Sequence, residues 1–428
     1  MARLRRPRRM STIVAAHGGS GRREQPRSES QPQFAASRES MNFDADPQDE
    51  AFRTEVRRFI AALSPEIVRG KPLGYTHSRP EREAWIRALN AQGWLVPHWS
   101  RAWGGRDWTA MRRHILHDET CAAGCPEVDR IATDLVGPII QAFGSAAQQR
   151  RYLPGILSGT EFWCQGFSEP QAGSDLSLVG TVARREGERY IVSGRKLWTT
   201  QAHLADLMFA LVRVKIGNEL QQGLSFLLVD MRAGGISTRP VLTLDGGHHV
   251  NEVLLEEVSV PRENLIGAEG QGWTYVRALL ESERSSAAGI PHTKRDLRRL
   301  EEFASSELRH GRTMMDDPVF RAKLEQLRDE LHALEFLHLR VLSATERGPR
   351  AEALGCVLKF RGAQAYQRVS ELMLETLGER SIEYVPDSQR SADEAGVAAA
   401  YLFRRSATIA AGTTEIQKNM IAALALEL

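Results

Sequence analysis

Gln165-Gly166-Phe167-Ser168-Glu169-Pro170-Gln171-Ala172-Gly173-Ser174-Asp175 is the stretch on which the reading of this chain turns. Its glycines, hydroxyls and proline mark a loop, a connector from one periodicity into another. Upstream, from about Phe52 to Leu157, the spacing is helical. Phe52, Val56, Phe59 and Ile60 recur at intervals of three and four, as do Trp85, Leu89 and Trp94 with its neighbours. Val96-Pro97-His98-Trp99-Ser100 followed by Gly104-Gly105 predicts a loop between Trp94 and Trp108. Downstream, to about Val260, the pattern shortens. Tyr190-Ile191-Val192, Leu207 to Val212, Leu224 to Val229 and Glu252 to Leu255 are β-branched and aromatic runs separated by turn signals, and they predict the strands of a compact sheet. They do not alternate with helices, which argues against a Rossmann sheet.

From about Trp273 helices return. Leu324, Leu327, Leu331, Leu334, Leu337 and Val341 form one apolar stripe, and Val357 to Leu377 another. The expected fold is mostly α with a central β-domain: a helical domain over 41–160, a small β-barrel or sandwich over 161–272, and a helical bundle over 273–428.

The whole chain has 428 residues and a net charge of +2, which argues against nucleic acid as its main partner. Its 49 Arg against 7 Lys are spread evenly, as codon bias would leave them. Cys121, Cys125, Cys164 and Cys356 make no disulfide framework. Cys121 and Cys125 are spaced to face one way on a helix. With no histidine or second cysteine pair read beside them, no metal site is expected. No apolar run approaches the roughly 20 residues of a membrane span, so a reduced, cytoplasmic protein is expected. Residues 1–40 carry nine Arg against three Glu and show no period, which predicts a disordered Arg/Ser-rich extension without chemistry. A transit peptide has a similar composition. The acidic opening after Met41 favours instead a start codon assigned too far upstream.

Two further segments combine with the opening loop: Gly194-Arg195-Lys196-Leu197-Trp198-Thr199-Thr200 and Gly412-Thr413-Thr414-Glu415-Ile416-Gln417. Alone, Trp198 to Thr200 reads as a strand edge with one buried Trp. Together, in this order and spacing, the three resemble the signature segments of the acyl-CoA dehydrogenase family. The resemblance runs from Met41 to the C-terminus, and Thr243 to Val253 looks like a bacterial subgroup that includes pimeloyl-CoA dehydrogenase large subunits.

The resemblance implies FAD held where the three domains meet, an acyl-CoA substrate, and electrons passed to an electron-transferring flavoprotein. It implies cofactor contacts from Gln165, Phe167, Ser168, Ser174, Trp198, Thr199, Thr200, Gly412, Thr413 and Glu415. Ser174, Arg284 and the Ala411 backbone would meet substrate. Thr413 is also a normal helix N-cap. Relatives usually form tetramers, so a homotetramer or a heteromer with a related subunit is expected.

In this chemistry a base takes the Cα proton of the thioester while hydride leaves Cβ for flavin N5. So weak an acid requires a base raised by desolvation and donors on the enolate oxygen. Many relatives place that Glu directly before the C-terminal Gly-Thr, where this chain has Ala411. Its backbone amide, with a flavin ribityl hydroxyl, still suits the thioester carbonyl. Other relatives place the base on the helix after the β-domain, and the matching position is Glu283. Helical spacing agrees, because Trp273, Val276, Leu280, Glu283 and Ala287 form one stripe and Glu281 points elsewhere. Two departures qualify the transfer. The vacated position at Ala411 admits a non-catalytic partner subunit as the competing reading, and Glu307 to Arg312 lacks a Phe that relatives use to reach the neighbouring subunit's FAD. An acyl-CoA oxidase would be longer.

Overall fold

The computed structural model describes residues 46–63, 77–306, 308–309, 311–343, 348–382 and 396–426, without the side chains at 280–287, 309 and 382. The expected extension over 1–40, Met41 and the side chains of Glu283 and Arg284 therefore lie outside the described residues.

The first helices start and stop where the sequence supplies caps. Helix α1, Pro47–Ala62, is capped by Asp46, whose side chain accepts from the Gln48 amide at 2.8 Å. Helix α2, Arg79–Gln92, opens on a Ser78–Glu81 capping box and closes on left-handed Gly93. Then come the expected loop, α3 (Ala110–Ala122), a π-helical turn (Ile131–Val136), α4 (Gly137–Phe143) and α5 (Ala146–Ser158). Phe52, Val56, Ile60, Trp85, Leu89 and Trp94 are all buried in one core.

Nine strands follow: β1 (Trp163–Gly166), β2 (Val182–Glu186), β3 (Arg189–Thr200), β4 (Leu207–Ile216), β5 (Glu219–Leu220), β6 (Ser225–Asp230), β7 (Ile236–Val241), β8 (Val250–Pro261) and β9 (Leu265–Ile266). Their order is β7-β8-β3-β2-β4-β6-β9, with β1 and β5 also on β4. The contacts of β4 with β1 and β2 are parallel. Strands β4 and β6 read as unbroken apolar runs because both faces are covered. Phe209, Leu211, Phe226 and Leu228 enter the helical core. Met208, Ala210, Leu227 and Val229 enter a second core with Tyr190, Val192, Val253 and Leu255. That alternation fixes the sheet against the helices.

Two helices, α6 (Gly272–Ala287) and α7 (Ile290–Ser306), lead to a short hairpin of β10 (Leu308–Arg309) and β11 (Arg312–Thr313). The long α8 (Pro318–Ser343) and α9 (Pro349–Leu377) come next, then α10 (Val397–Arg404) and α11 (Thr414–Ala425). Leu324, Leu327, Leu331 and Leu334 pack into one core with Leu358, Val369, Leu372 and Leu377. The leucine stripe is thus interior packing within the chain.

One detail of α6 differs from the sequence reading. Trp273 is 44 % exposed, and among the described residues of α6 the buried apolar side chains are Tyr275, Val276 and Leu279. The apolar face is rotated from the expected stripe, because Tyr275 turns inward to pack on Phe143 at 4.8 Å and Phe226 at 6.3 Å.

Candidate active site

The opening loop is held from inside by a buried carboxylate. Glu169 accepts from Lys196 Nζ at 2.7 Å, Thr181 Oγ1 at 2.5 Å, the Gly180 amide at 2.7 Å and Gln171 Nε2 at 2.6 Å. Burial would raise its pKa, but Lys196 and these donors outweigh it and hold it below the usual carboxylate range. Burial also brings Lys196 down to about 8 against the pull of Glu169, so both remain charged at neutral pH. A further bond, from the Leu197 amide to the Ser168 carbonyl at 2.9 Å, ties loop to strand. Ser168 is half-buried beside this anchor, and Ser174 lies exposed farther along. Gln165 is in β1, paired with Phe209. The Phe167 ring packs 5.5 Å from Phe209 in the core, which leaves its backbone for any cofactor contact.

Trp198 is not the buried edge residue that its local sequence suggests. It lies in the second half of β3, past the last β2 partner at Ser193, where the register with β8 shifts between Lys196 and Thr199. The bulge gives Trp198 a φ of 60° and leaves it 56 % exposed. A bulky residue with positive φ is a strained exception, and such strain collects at functional positions. Beside it the Thr199 hydroxyl is buried without a hydrogen-bond partner among the described residues.

Strand β8 braces this bulge. Asn251, fully buried, donates from Nδ2 to the Thr199 carbonyl at 3.1 Å, and its Oδ1 lies 2.7 Å from His248 Nε2. The His203 and His248 rings stack at 3.9 Å alongside. His249 pairs with Asp245 at 2.8 Å and meets Phe403 of α10 at 4.6 Å. Asp245, His248, His249 and Asn251 belong to the Thr243–Val253 stretch, which sequence reasoning used for kinship and not for structure. The consecutive histidines before a strand were the available signal.

The end of β3 opens on a cavity of about 1070 Å³, with Thr200, Gln201, Ala278 of α6, Tyr366 of α9 and Phe403 in its wall. Of the described residues expected at the site, Thr200 lines this space and the others lie outside its lining. Arg82 reaches across to Gln201 Oε1 at 2.5 Å and the Glu127 carbonyl at 3.2 Å. The π-helical turn shapes the opposite wall. Its Thr133 carbonyl accepts from Trp99 Nε1 at 2.7 Å and lies 3.0 Å from His98 Nε2.

At the C-terminus Thr413 caps α11, accepting from the Ile416 amide at 3.2 Å. Glu415 is exposed in the first turn. Ala411 and Gly412 precede the cap with φ of 54° and 85°. The φ of 85° at Gly412 favours glycine, and a Cβ there would also displace Gln417 Nε2, 2.4 Å away.

The cavity also contains groups that sequence reasoning missed. His117, one turn before Cys121 on α3, was overlooked as its neighbour, and His292 arrives from α7. Burial alone would raise the Cys121 thiol, but His292 and His117 outweigh it and hold it well below the usual range. Cys121 in turn raises His292. Cys125, beyond the helix end, is pushed up by burial to about 12.

His338 of α8 behaves oppositely. Burial, then His114, His117 and Arg130, hold it down to about 3. The unfolded chain therefore binds this proton first, and the stability tied to neutral His338 is lost as pH falls from 6.5 towards 3. His338→Gln should match the parent's pH response above pH 7. By pH 5 it should be relatively stabilised by about 2 kcal/mol, read from denaturant midpoints. A pH-independent difference would show that His338 does not titrate this way.

Comparison with known proteins places the whole described chain. The N-terminal, middle and C-terminal domains of acyl-CoA dehydrogenase match residues 46–160, 164–258 and 270–426. The chain belongs to the acyl-CoA dehydrogenase family. It is an oxidoreductase acting on acyl-CoA thioesters. It is 34 % identical over 382 residues to acyl-CoA dehydrogenase IpdE1 of Mycobacterium tuberculosis, covering 87 % of this chain and 96 % of that one. Among solved structures it resembles the ChsE4-ChsE5 complex from Mycobacterium tuberculosis, with TM-score 0.77 and 28 % identity over 91 % of this chain and 99 % of that one. It also resembles the Tcur3481-Tcur3483 steroid acyl-CoA dehydrogenase, with TM-score 0.78 and 25 % identity over 91 % and 99 %. Among the described residues no helix of this acyl-CoA dehydrogenase is long and apolar enough to cross a membrane.

Proposed function

We propose that this acyl-CoA dehydrogenase uses FAD to oxidise the Cα–Cβ bond of its thioester substrate to the 2-enoyl-CoA, with Glu283 as the base. The observation that carries this reading is the strained, outward-facing Trp198 beside a buried, unpartnered Thr199 hydroxyl, at the strand end that reaches the cavity. A flat aromatic cofactor with polar edges fits that combination. Gln165, Ser168, Ser174 and the Phe167 backbone would hold one side of FAD, Trp198 to Thr200 the other, and Gly412, Thr413 and Glu415 its remaining polar groups. FAD, when bound, supplies the hydride acceptor.

The chain's own residues do the rest. Glu283 takes the proton from Cα. The Ala411 amide donates to the thioester carbonyl and so stabilises the charge that develops there. Arg284 contacts the substrate or holds its helix. The cavity of about 1070 Å³ supports a bulky acyl group, consistent with the likeness to the Tcur3481-Tcur3483 steroid acyl-CoA dehydrogenase. An electron-transferring flavoprotein takes the electrons onward, in the cytoplasm. Exposed Leu242, Leu244 and Ile409, at 73 %, 76 % and 66 %, support assembly with a second copy or a related subunit.

Ala411 favours one second reading, a non-catalytic subunit of a heteromer. Two solved structures that it resembles, ChsE4-ChsE5 and Tcur3481-Tcur3483, pair two different proteins by name. Purified protein supplied with FAD and titrated anaerobically with a panel of acyl-CoA thioesters separates the two. Bleaching of the visible flavin bands is expected with at least one thioester. A preparation that stays flavin-free, or that no thioester bleaches, would establish the second reading.

A further inference from the structure

We infer that Cys121, His117 and His292 form a binding site for a zinc-class divalent cation on the cavity wall. Their donor atoms lie within 4.8 Å of one another. His117 and Cys121 are four residues apart on α3, so one face of that helix presents both. His292 enters from the first turn of α7. Cys121 Sγ lies 3.7 and 4.0 Å from the two ring nitrogens of His292. Tetrahedral zinc, with Zn–S about 2.3 Å and Zn–N about 2.05 Å, sets sulfur and nitrogen ligands about 3.6 Å apart. Cys121 Sγ and His292 Nδ1, 4.0 Å apart, need close by only a few tenths of an ångström to reach that spacing, with His117 inside the same 4.8 Å group.

The second shell has the form such sites require. His292 Nε2 lies 3.1 Å from the carboxylate of Glu127. Donating there fixes the tautomer whose lone pair is on Nδ1, the nitrogen left for the ion. The backbone turns carrying the ligands are also pinned. Asp118, next to His117, and Lys294, close after His292, bond each other at 3.0 Å, and Lys294 also pairs with Glu335 of α8. Glu119 on the same helix takes Arg53 at 2.6 Å. A site supported in this way is preorganised.

Three protein ligands leave tetrahedral coordination one short. All three ligands and Glu127 line the cavity, so the fourth position faces it and takes water or an oxygen of the cavity's occupant. A soft thiolate with two imidazoles selects zinc or cobalt over magnesium or calcium.

The test is a titration of the metal-free full chain with cobalt(II), following thiolate-to-cobalt charge-transfer absorbance, and then displacement by zinc. One saturable equivalent per chain is expected. Cys121→Ser, nearly isosteric, should abolish the charge-transfer band. Glu127→Gln should weaken binding 10- to 100-fold while keeping the band. Thermal unfolding of each variant without metal checks its fold. His117→Asn provides a second ligand deletion, with the same loss of affinity expected should Cys121→Ser be unstable. Absence of saturable binding overturns the inference, and so does an unchanged band in folded Cys121→Ser. In either case Cys121, His117 and His292 would be a packing contact without an ion.

Discussion

Glu283→Gln should retain FAD and substrate binding while losing turnover by about three to four orders of magnitude. Glutamine matches glutamate in size and can still hydrogen-bond, but it takes no proton from Cα. The loss should therefore fall on kcat, with KM nearly unchanged, because the missing interaction acts only in the transition state. Three to four orders correspond to about 4–5.5 kcal/mol of barrier, the size of one lost base. The helix provides its own control. Glu281 lies two positions earlier on α6, about 200° around the helix, so Glu281→Gln should stay within severalfold of the parent. A Glu283→Gln enzyme with near-normal turnover would remove Glu283 as the base. A large loss in Glu281→Gln alone would transfer the role there.

The order of helices, sheet and helices was legible because each part repeats a local period, 3.6 or 2, over many residues. The cap at Thr413 was legible too, since capping is decided within four residues. What failed to show in the sequence depends on register or on distant pairing. The exposure of Trp198 follows from a bulge between β3 and β8, and nothing local announces it. Cys121 and His292 are 171 positions apart, and their meeting requires α3 to pack on α7. The rotation of α6 came from Tyr275, whose place depends on aromatic partners at Phe143 and Phe226. Asn251 looks like an ordinary polar strand residue until β8 lies beside β3 and its amide meets Thr199. The family's motifs carry this non-local information, which is why the resemblance located the loop and strand that periodicity alone treated as a connector and an edge.

Glu169→Ala should destabilise the protein by about 3–5 kcal/mol, much of the 5–15 kcal/mol that usually separates folded from unfolded chains. The motif's Glu and Lys look like surface charges in sequence, yet their side chains are 2 % and 0 % exposed. Removing the carboxylate leaves the Lys196 ammonium with the Leu211 carbonyl, at 2.7 Å, and no counter-charge. It also frees the Gly180 amide, the Thr181 hydroxyl and the Gln171 amide at once. The loop from Ser168 to Asp175 then loses the anchor that positions it beside β3. Two effects are thus combined in one substitution, and a second variant separates them. Glu169→Ala with Lys196→Met removes the buried charge, and apolar replacement of buried pairs is often neutral or better. Most of the stability should return, while FAD affinity should stay low because the loop remains unanchored. If the double variant recovers both, the Glu169 carboxylate only neutralises Lys196. If it recovers neither, the cost lies in the lost amide and hydroxyl bonds, and the ion pair contributes little.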